Sequence, residues 1–86
     1  MKGVEYKKMA KVKIYTTQNC VYCKLAKEYF KKNNIQVEEV DVGKDQKAAE
    51  EMIQKSGQMG VPVIEANGKI IIGFDRDAIK DALNLH

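Results

Sequence analysis

At 86 residues, with 44% hydrophobic and 31% charged side chains, six Gly, one Pro and two Cys, the chain has room for one small domain and no second one. A fold of this size buries only roughly 60 to 65% of the surface its unfolded chain exposes, so every periodic segment must contribute to the core. The net charge of +3 conceals an imbalance: residues 1–32 hold nine Lys against two Glu, whereas residues 33–86 hold six basic and ten acidic side chains.

Lys2, Lys7, Lys8, Lys11 and Lys13 fall within the first thirteen residues. A basic arm for nucleic acid is one reading of them, but no Arg cluster, stacking aromatic series or binding motif accompanies it. Residues 1–10 are therefore read as a solvated basic leader, with Met9 a second candidate start, and residues 11–86 as the domain. No nucleic-acid partner is expected. No apolar run approaches the roughly 18 to 20 residues that cross a bilayer, so no membrane partner is expected either.

Lys11 to Thr16 alternates polar and apolar residues and predicts a first strand, and Thr17, Gln18 and Asn19 form a polar loop. From Cys20, the residues Val21, Leu25, Tyr29 and Phe30 recur at helical spacing opposite Lys24, Lys27, Glu28, Lys31 and Lys32, until Asn33 and Asn34 stop the helix. Ile35 to Val42 reads as a second strand closed by Gly43. Asp45 then caps a second helix that ends at Ser56 and Gly57, with Lys47 and Glu51 an opposite-charge pair four apart. Val61 to Glu65 and Lys69 to Ile72 read as strands joined by an Asn67-Gly68 hairpin turn. After a break at Gly73 to Asp77, either Asp75 or Asp77 caps a final helix carrying Ala78, Ile79, Ala82 and Leu83. The order β-α-β-α-β-β-α demands an α/β fold with a mixed sheet of four strands. The core is expected to contain Val12, Ile14, Leu25, Phe30, Val40, Ile53, Val63, Ile71, Ile79 and Leu83.

Both cysteines lie in one tetrapeptide, Cys20-Val21-Tyr22-Cys23, directly after a predicted strand and at the start of a predicted helix. A cysteine there meets unpaired backbone N–H groups and the positive end of the helix dipole, which favour thiolate over thiol. Cys20 is thus the candidate nucleophile. Cys23, three residues on, faces the same side of the first turn and is placed to attack a mixed disulfide formed on Cys20. A structural zinc site competes poorly, because one Cys pair and the terminal His86 fall short of four ligands within a chain. A purely structural disulfide over so short a loop constrains the unfolded chain little.

Ile14-Tyr15-Thr16, Cys20-Val21-Tyr22-Cys23, Gly60-Val61-Pro62-Val63 and Ile72-Gly73-Phe74-Asp75 together resemble a glutaredoxin or glutaredoxin-like redoxin of the thioredoxin fold, over about residues 11–85. The resemblance implies a thiol-disulfide oxidoreductase with a redox-active disulfide, catalytic Cys20 and Cys23, and disulfide-containing proteins or glutathione mixed disulfides as substrates. It implies a cis Val61-Pro62 peptide beside the dithiol and substrate contacts at Tyr22, Val61, Pro62, Gly73, Phe74 and Asp77, the last two as a partner contact and as the acidic glutathione-binding position. Tyr22, Phe74 and Asp77 also have plain readings, as a half-exposed first-turn aromatic, a cover for the sheet end and an ordinary N-terminal helix residue. Where many glutaredoxins carry a Lys three residues before the first Cys and Gly-Gly in the later loop, this chain has Thr17 and Gly73-Phe74. Weaker glutathione binding is expected, with thioredoxin reductase rather than glutathione as electron donor.

A reducing, cytoplasmic compartment, a monomer, and no bound metal or organic cofactor complete the expectation. The rival reading is a non-enzymatic carrier, a dimer pooling Cys20 thiolates around an iron-sulfur cluster.

Overall fold

Alternation in Val12-Lys13-Ile14-Tyr15 places Val12 and Ile14 on one face of the first strand and Lys13 and Tyr15 on the other, and the fold closes each face with helices. The structure is a computed structural model that describes residues 12–84. The basic leader, Lys11 as a strand start and His86 lie outside the described residues. Its elements are β1 (Val12–Thr16), α1 (Val21–Lys32), β2 (Val37–Asp41), α2 (Gln46–Ser56), β3 (Val63–Ala66), β4 (Lys69–Ile72) and α3 (Arg76–Leu83). The sheet runs β2-β1-β3-β4. β1 and β2 are parallel, with Thr16 opposite Asp41, while β1 with β3 and β3 with β4 are antiparallel, with Val63 opposite both Tyr15 and Ile72. This is the four-stranded mixed sheet that the sequence pattern demands, in the thioredoxin-like glutaredoxin arrangement that the resemblance implies.

Local chemistry explains the boundaries. Asp45 and Asp75 adopt extended backbone and each accepts, through Oδ1, the N–H three residues on, from Ala48 and Ala78 respectively, at 3.1 Å in both cases. Asp75 is therefore the cap of α3 and Asp77 lies within its first turn, where a carboxylate complements the helix dipole. At the β3–β4 turn Asn67 and Gly68 have φ of 50° and 84°, the left-handed pair that a two-residue hairpin requires.

One sheet face buries Val12, Ile14, Ile64, Ala66 and Ile71 against Ala26 and Phe30 of α1 and Ile79 of α3. On the other face α2 buries Met52 against Tyr15 and Val63, with Val40, Val42, Val61 and Ile70 partly covered. The helices thus lie on both faces, and the strand ends Thr16, Asp41 and Ile72 gather with the start of β3 at one end of the sheet.

Several expectations need correction. Leu25 and Ile53 are exposed rather than core, because α1 turns Cys23, Ala26 and Phe30 inward and α2 turns Ala48 and Met52 inward. Val40 and Leu83 are only partly buried. Glu51 pairs with Lys55 (3.0 Å) and Lys13 (3.6 Å), not with Lys47, since these two Lys, unlike Lys47, have further partners on the sheet side. β3 starts at Val63, after Pro62, which has no N–H to offer a ladder, and β2 keeps only residues 37–41 of the expected 35–42.

Candidate active site

β1 delivers the chain to the site end of the sheet at Thr16, which is buried, and a loop of three residues leads to Cys20. Cys20 is the N-cap of α1, with extended backbone (φ −102°, ψ 112°). Its Sγ accepts the backbone N–H of Cys23 at 3.1 Å, and its carbonyl accepts the N–H of Lys24 at 3.2 Å. The sulfur therefore occupies the place a capping oxygen usually takes, and a thiolate there is met by a backbone donor.

The two sulfurs differ sharply in exposure. Cys20 is half-buried, whereas Cys23 is fully buried on the stripe shared with Ala26 and Phe30. Burial pushes the Cys23 thiol up from its ordinary range, its contact with Cys20 pushes further in that direction, and the Thr16 hydroxyl and Thr17 backbone pull the other way. An accessible sulfur held by a backbone N–H next to a buried sulfur that keeps its proton is an arrangement for sequential attack.

The Val61-Pro62 peptide is cis. Since Val63 pairs with Tyr15, this peptide lies at the same sheet end as the dithiol loop. Gly73 donates its N–H to the Pro62 carbonyl at 2.9 Å, and its φ of 79° is one that L side chains adopt only with strain. Val61, Pro62 and Gly73 are thus brought together. Phe74 is half-buried against the first core face and meets the Tyr29 ring edge-on at 5.8 Å between centroids. Phe74 and Asp77 line an open depression of about 460 Å³ with Ile72, Asp75 and Arg76. Tyr22 is exposed on the first turn of α1.

This geometry has counterparts among known proteins. The glutaredoxin family model matches residues 12–71. The chain belongs to the glutaredoxin family. An uncharacterised glutaredoxin-like 8.6 kDa protein in a rubredoxin operon of Clostridium pasteurianum is 48% identical over 68 residues, covering 79% of this chain and 91% of that protein. Glutaredoxin 3 of Escherichia coli is 36% identical over 67 residues, covering 78% of this chain and 81% of the relative. Among solved structures, the glutaredoxin-like NrdH-redoxin of Escherichia coli superposes with a TM-score of 0.75 at 29% identity, covering 88% of this chain and 95% of that one. Family and fold together make this chain a thiol-disulfide redox protein.

Two contributors to the glutaredoxin site were not singled out from sequence. Thr16 is a buried hydroxyl beside Cys23; a polar residue closing an apolar strand just before the cysteines was its only signal. Gln58 brackets the loop that leads to Val61: its Nε2 donates to the Gly60 carbonyl at 2.9 Å, and its Oε1 accepts the Gly60 N–H at 3.2 Å. A Cβ on Gly60 would come within 3.0 Å of that Oε1, so the glycine and the glutamine fit as a pair. Nothing in the local sequence pattern announces this clamp.

Among the described residues no helix is long and apolar enough to cross a membrane.

Proposed function

We propose that this glutaredoxin is a dithiol thiol-disulfide oxidoreductase that reduces protein disulfides or glutathione mixed disulfides, with Cys20 as nucleophile and Cys23 as resolving thiol. The observation that carries the reading is the Cys23 N–H to Cys20 Sγ bond of 3.1 Å between a half-buried and a fully buried sulfur. Cys20 thiolate attacks one sulfur of the substrate disulfide, forming a mixed disulfide and releasing the other sulfur as a thiolate, which takes up a proton. Cys23 then gives up its proton and attacks Cys20 Sγ. The second substrate sulfur leaves, and two electrons have passed from the dithiol to the substrate. Tyr22, Val61, Pro62, Gly73, Phe74 and Asp77 form the surroundings in which the substrate is held.

The dithiol must be re-reduced, and the proposed donor is a protein reductase of the thioredoxin-reductase type in preference to glutathione, in a reducing compartment such as the cytoplasm. Thr17 offers no cation to a glycine carboxylate, and Phe74 fills the place of a glycine that would let the γ-glutamyl end approach the backbone. Losing one charge-assisted contact costs about 1.5 to 3 kcal/mol, or about ten- to a hundredfold in affinity. Of the two Lys on α1 placed to compensate, Lys27 is engaged by Glu39 at 3.2 Å, which leaves Lys24. The Escherichia coli NrdH-redoxin, with its thioredoxin-like activity profile, is a precedent in the same fold. Neither fold nor comparisons favour the cluster-carrier reading.

The test is disulfide turnover with NADPH supplied through thioredoxin reductase in one cuvette and through glutathione and glutathione reductase in the other. Turnover is expected in the first, and Thr17→Lys should raise the rate in the second. Efficient turnover in the glutathione cuvette alone would overturn the choice of donor.

A further inference from the structure

Helix α1 exposes more apolar surface next to Cys20 than folding requires. Six large hydrophobic side chains are exposed among the described residues, and three of them, Val21 (67%), Tyr22 (63%) and Leu25 (42%), fall within the five residues that follow Cys20. At about 100° per residue, with Cys23, Ala26 and Phe30 facing the core, Tyr22 and Leu25 lie on one flank of the helix and Lys24 and Lys31 on the other, with Val21 between them on the outer face. Lys27, on the same flank as the other two Lys, is neutralised by Glu39, whereas Lys24 and Lys31 enter no salt bridge among the described residues. Tyr22 and Lys24 stand in the first turn after Cys20, and Leu25 and Lys31 extend the two flanks along the helix.

We infer that α1 is a substrate-selecting surface, which favours disulfides whose cysteine is flanked by an apolar side chain and by acidic side chains further along the same segment. This rests on the oxidoreductase reading above and names the substrate class of that site. The occupant is the polypeptide carrying the disulfide, because attack by Cys20 ties that segment to the start of α1. Its apolar residue covers Tyr22 and Leu25, and its carboxylates complement Lys24 and Lys31. Spacing follows from the helix rise: Lys24 and Lys31 lie about 6 and about 16 Å along the axis from Cys20, which about two and about five residues of extended chain would span.

The test uses the full chain, pre-reduced, and short peptides closed by one internal disulfide. The peptides differ only in having Glu, Gln or Lys at about the second and fifth residues beyond one cysteine, and Leu or Ser beside it. Each reaction converts one protein dithiol and one peptide disulfide into one protein disulfide and one peptide dithiol, so it needs no external donor and is followed as a single turnover. Glu peptides should react about tenfold faster than Lys peptides at low salt, with the gap closing once ionic strength passes about 0.15 M. Lys24→Glu with Lys31→Glu should invert that order. Replacing Leu by Ser in the peptide should slow the natural chain about threefold, a gap that Tyr22→Ser with Leu25→Ser should abolish. Equal rates for Glu, Gln and Lys peptides would overturn the proposed surface and leave the oxidoreductase intact. Reduction of no peptide at all, or reduction undiminished in Cys20→Ser, would overturn the oxidoreductase reading and the surface with it.

Discussion

On one face of the sheet, α1 and α3 bury Ile14, Phe30, Ile64 and Ile79 completely, so that face is closed mainly by packed volume, with one exposed ion pair, Lys27 to Glu39 at 3.2 Å, at its edge. On the other, α2 covers Tyr15, Met52 and Val63 and then gives way to four charged side chains, Lys13, Glu51, Lys55 and Glu65. There Lys55 reaches Glu65 at 2.8 Å and donates to the Tyr15 hydroxyl at 3.4 Å, while Lys13 stands 5.2 Å from the Tyr15 ring centre. α2 turns only Ala48 and Met52 fully inward, too little apolar surface to seal the sheet without the aromatic ring and the alkyl stems of the lysines. The dithiol rides on the first face: Cys23 begins the stripe that Ala26 and Phe30 continue. Stability and the seating of the resolving sulfur should therefore follow the packed face, with the charged face a smaller, salt-sensitive contributor.

The largest test of that contrast is Phe30→Ala, which should lower unfolding free energy by about 3 to 5 kcal/mol in urea titration, a large share of what a domain this small has. It should also slow disulfide turnover, since α1 loses its deepest anchor. Met52→Ala, on the sparser face, should cost about 2 to 3 kcal/mol and leave turnover closer to that of the natural chain. A Met52 effect equal to that of Phe30 in both readouts would erase the distinction between the faces.

Smaller effects sharpen it. Because burial raises the Cys23 thiol, the folded state holds that proton more tightly than the unfolded chain does. The associated stability is present below the ordinary thiol range and is lost as pH rises through the raised value. Urea midpoints of the reduced protein should thus fall in alkali, and Cys23→Ala should flatten that fall. On the charged face, hydrogen bonding from Lys55, with the charge of Lys13 in support, lowers Glu51, so its contribution is present above the ordinary carboxylate range and is lost as pH falls through the lowered value. Lys55→Met should be the mildest change of the series, about 0.2 to 1 kcal/mol at low salt and less at high salt, because its two carboxylate partners are accessible to solvent.

The packed face was the more legible of the two from sequence. Strand alternation fixed Val12, Ile14 and Ile71, Asn67-Gly68 marked the hairpin, Asp45 marked a cap, and two cysteines between a strand and a helix marked the site. The rotation of α1 was not legible. Its spacing pointed to Leu25 as core, but the helix buries Cys23 and Ala26, whose small side chains weigh little in a hydropathy pattern yet let the helix approach the sheet closely. Apolar does not mean buried beside this reactive sulfur, where Val21, Tyr22 and Leu25 are all exposed. The same confusion chose Ile53 over Met52 in α2. The Gln58 bracket around Gly60 is a contact two residues apart that depends on the side-chain rotamer, which hydropathy patterning does not register, and the contact of Thr16 with Cys23 joins the end of a strand to the first turn of a helix across a loop.

The division of labour between an accessible Cys20 and a buried Cys23 is the central claim, and trapping tests it most directly. Cys23→Ser, pre-reduced and mixed with a disulfide-bonded protein substrate, should halt at a covalent adduct that mass spectrometry of the digested complex locates on Cys20 and that dithiothreitol releases. Cys20→Ser should form no such adduct and should have lost turnover. An adduct on Cys23 in Cys20→Ser, formed as fast as the Cys20 adduct in Cys23→Ser, or full turnover by Cys20→Ser, would contradict the account.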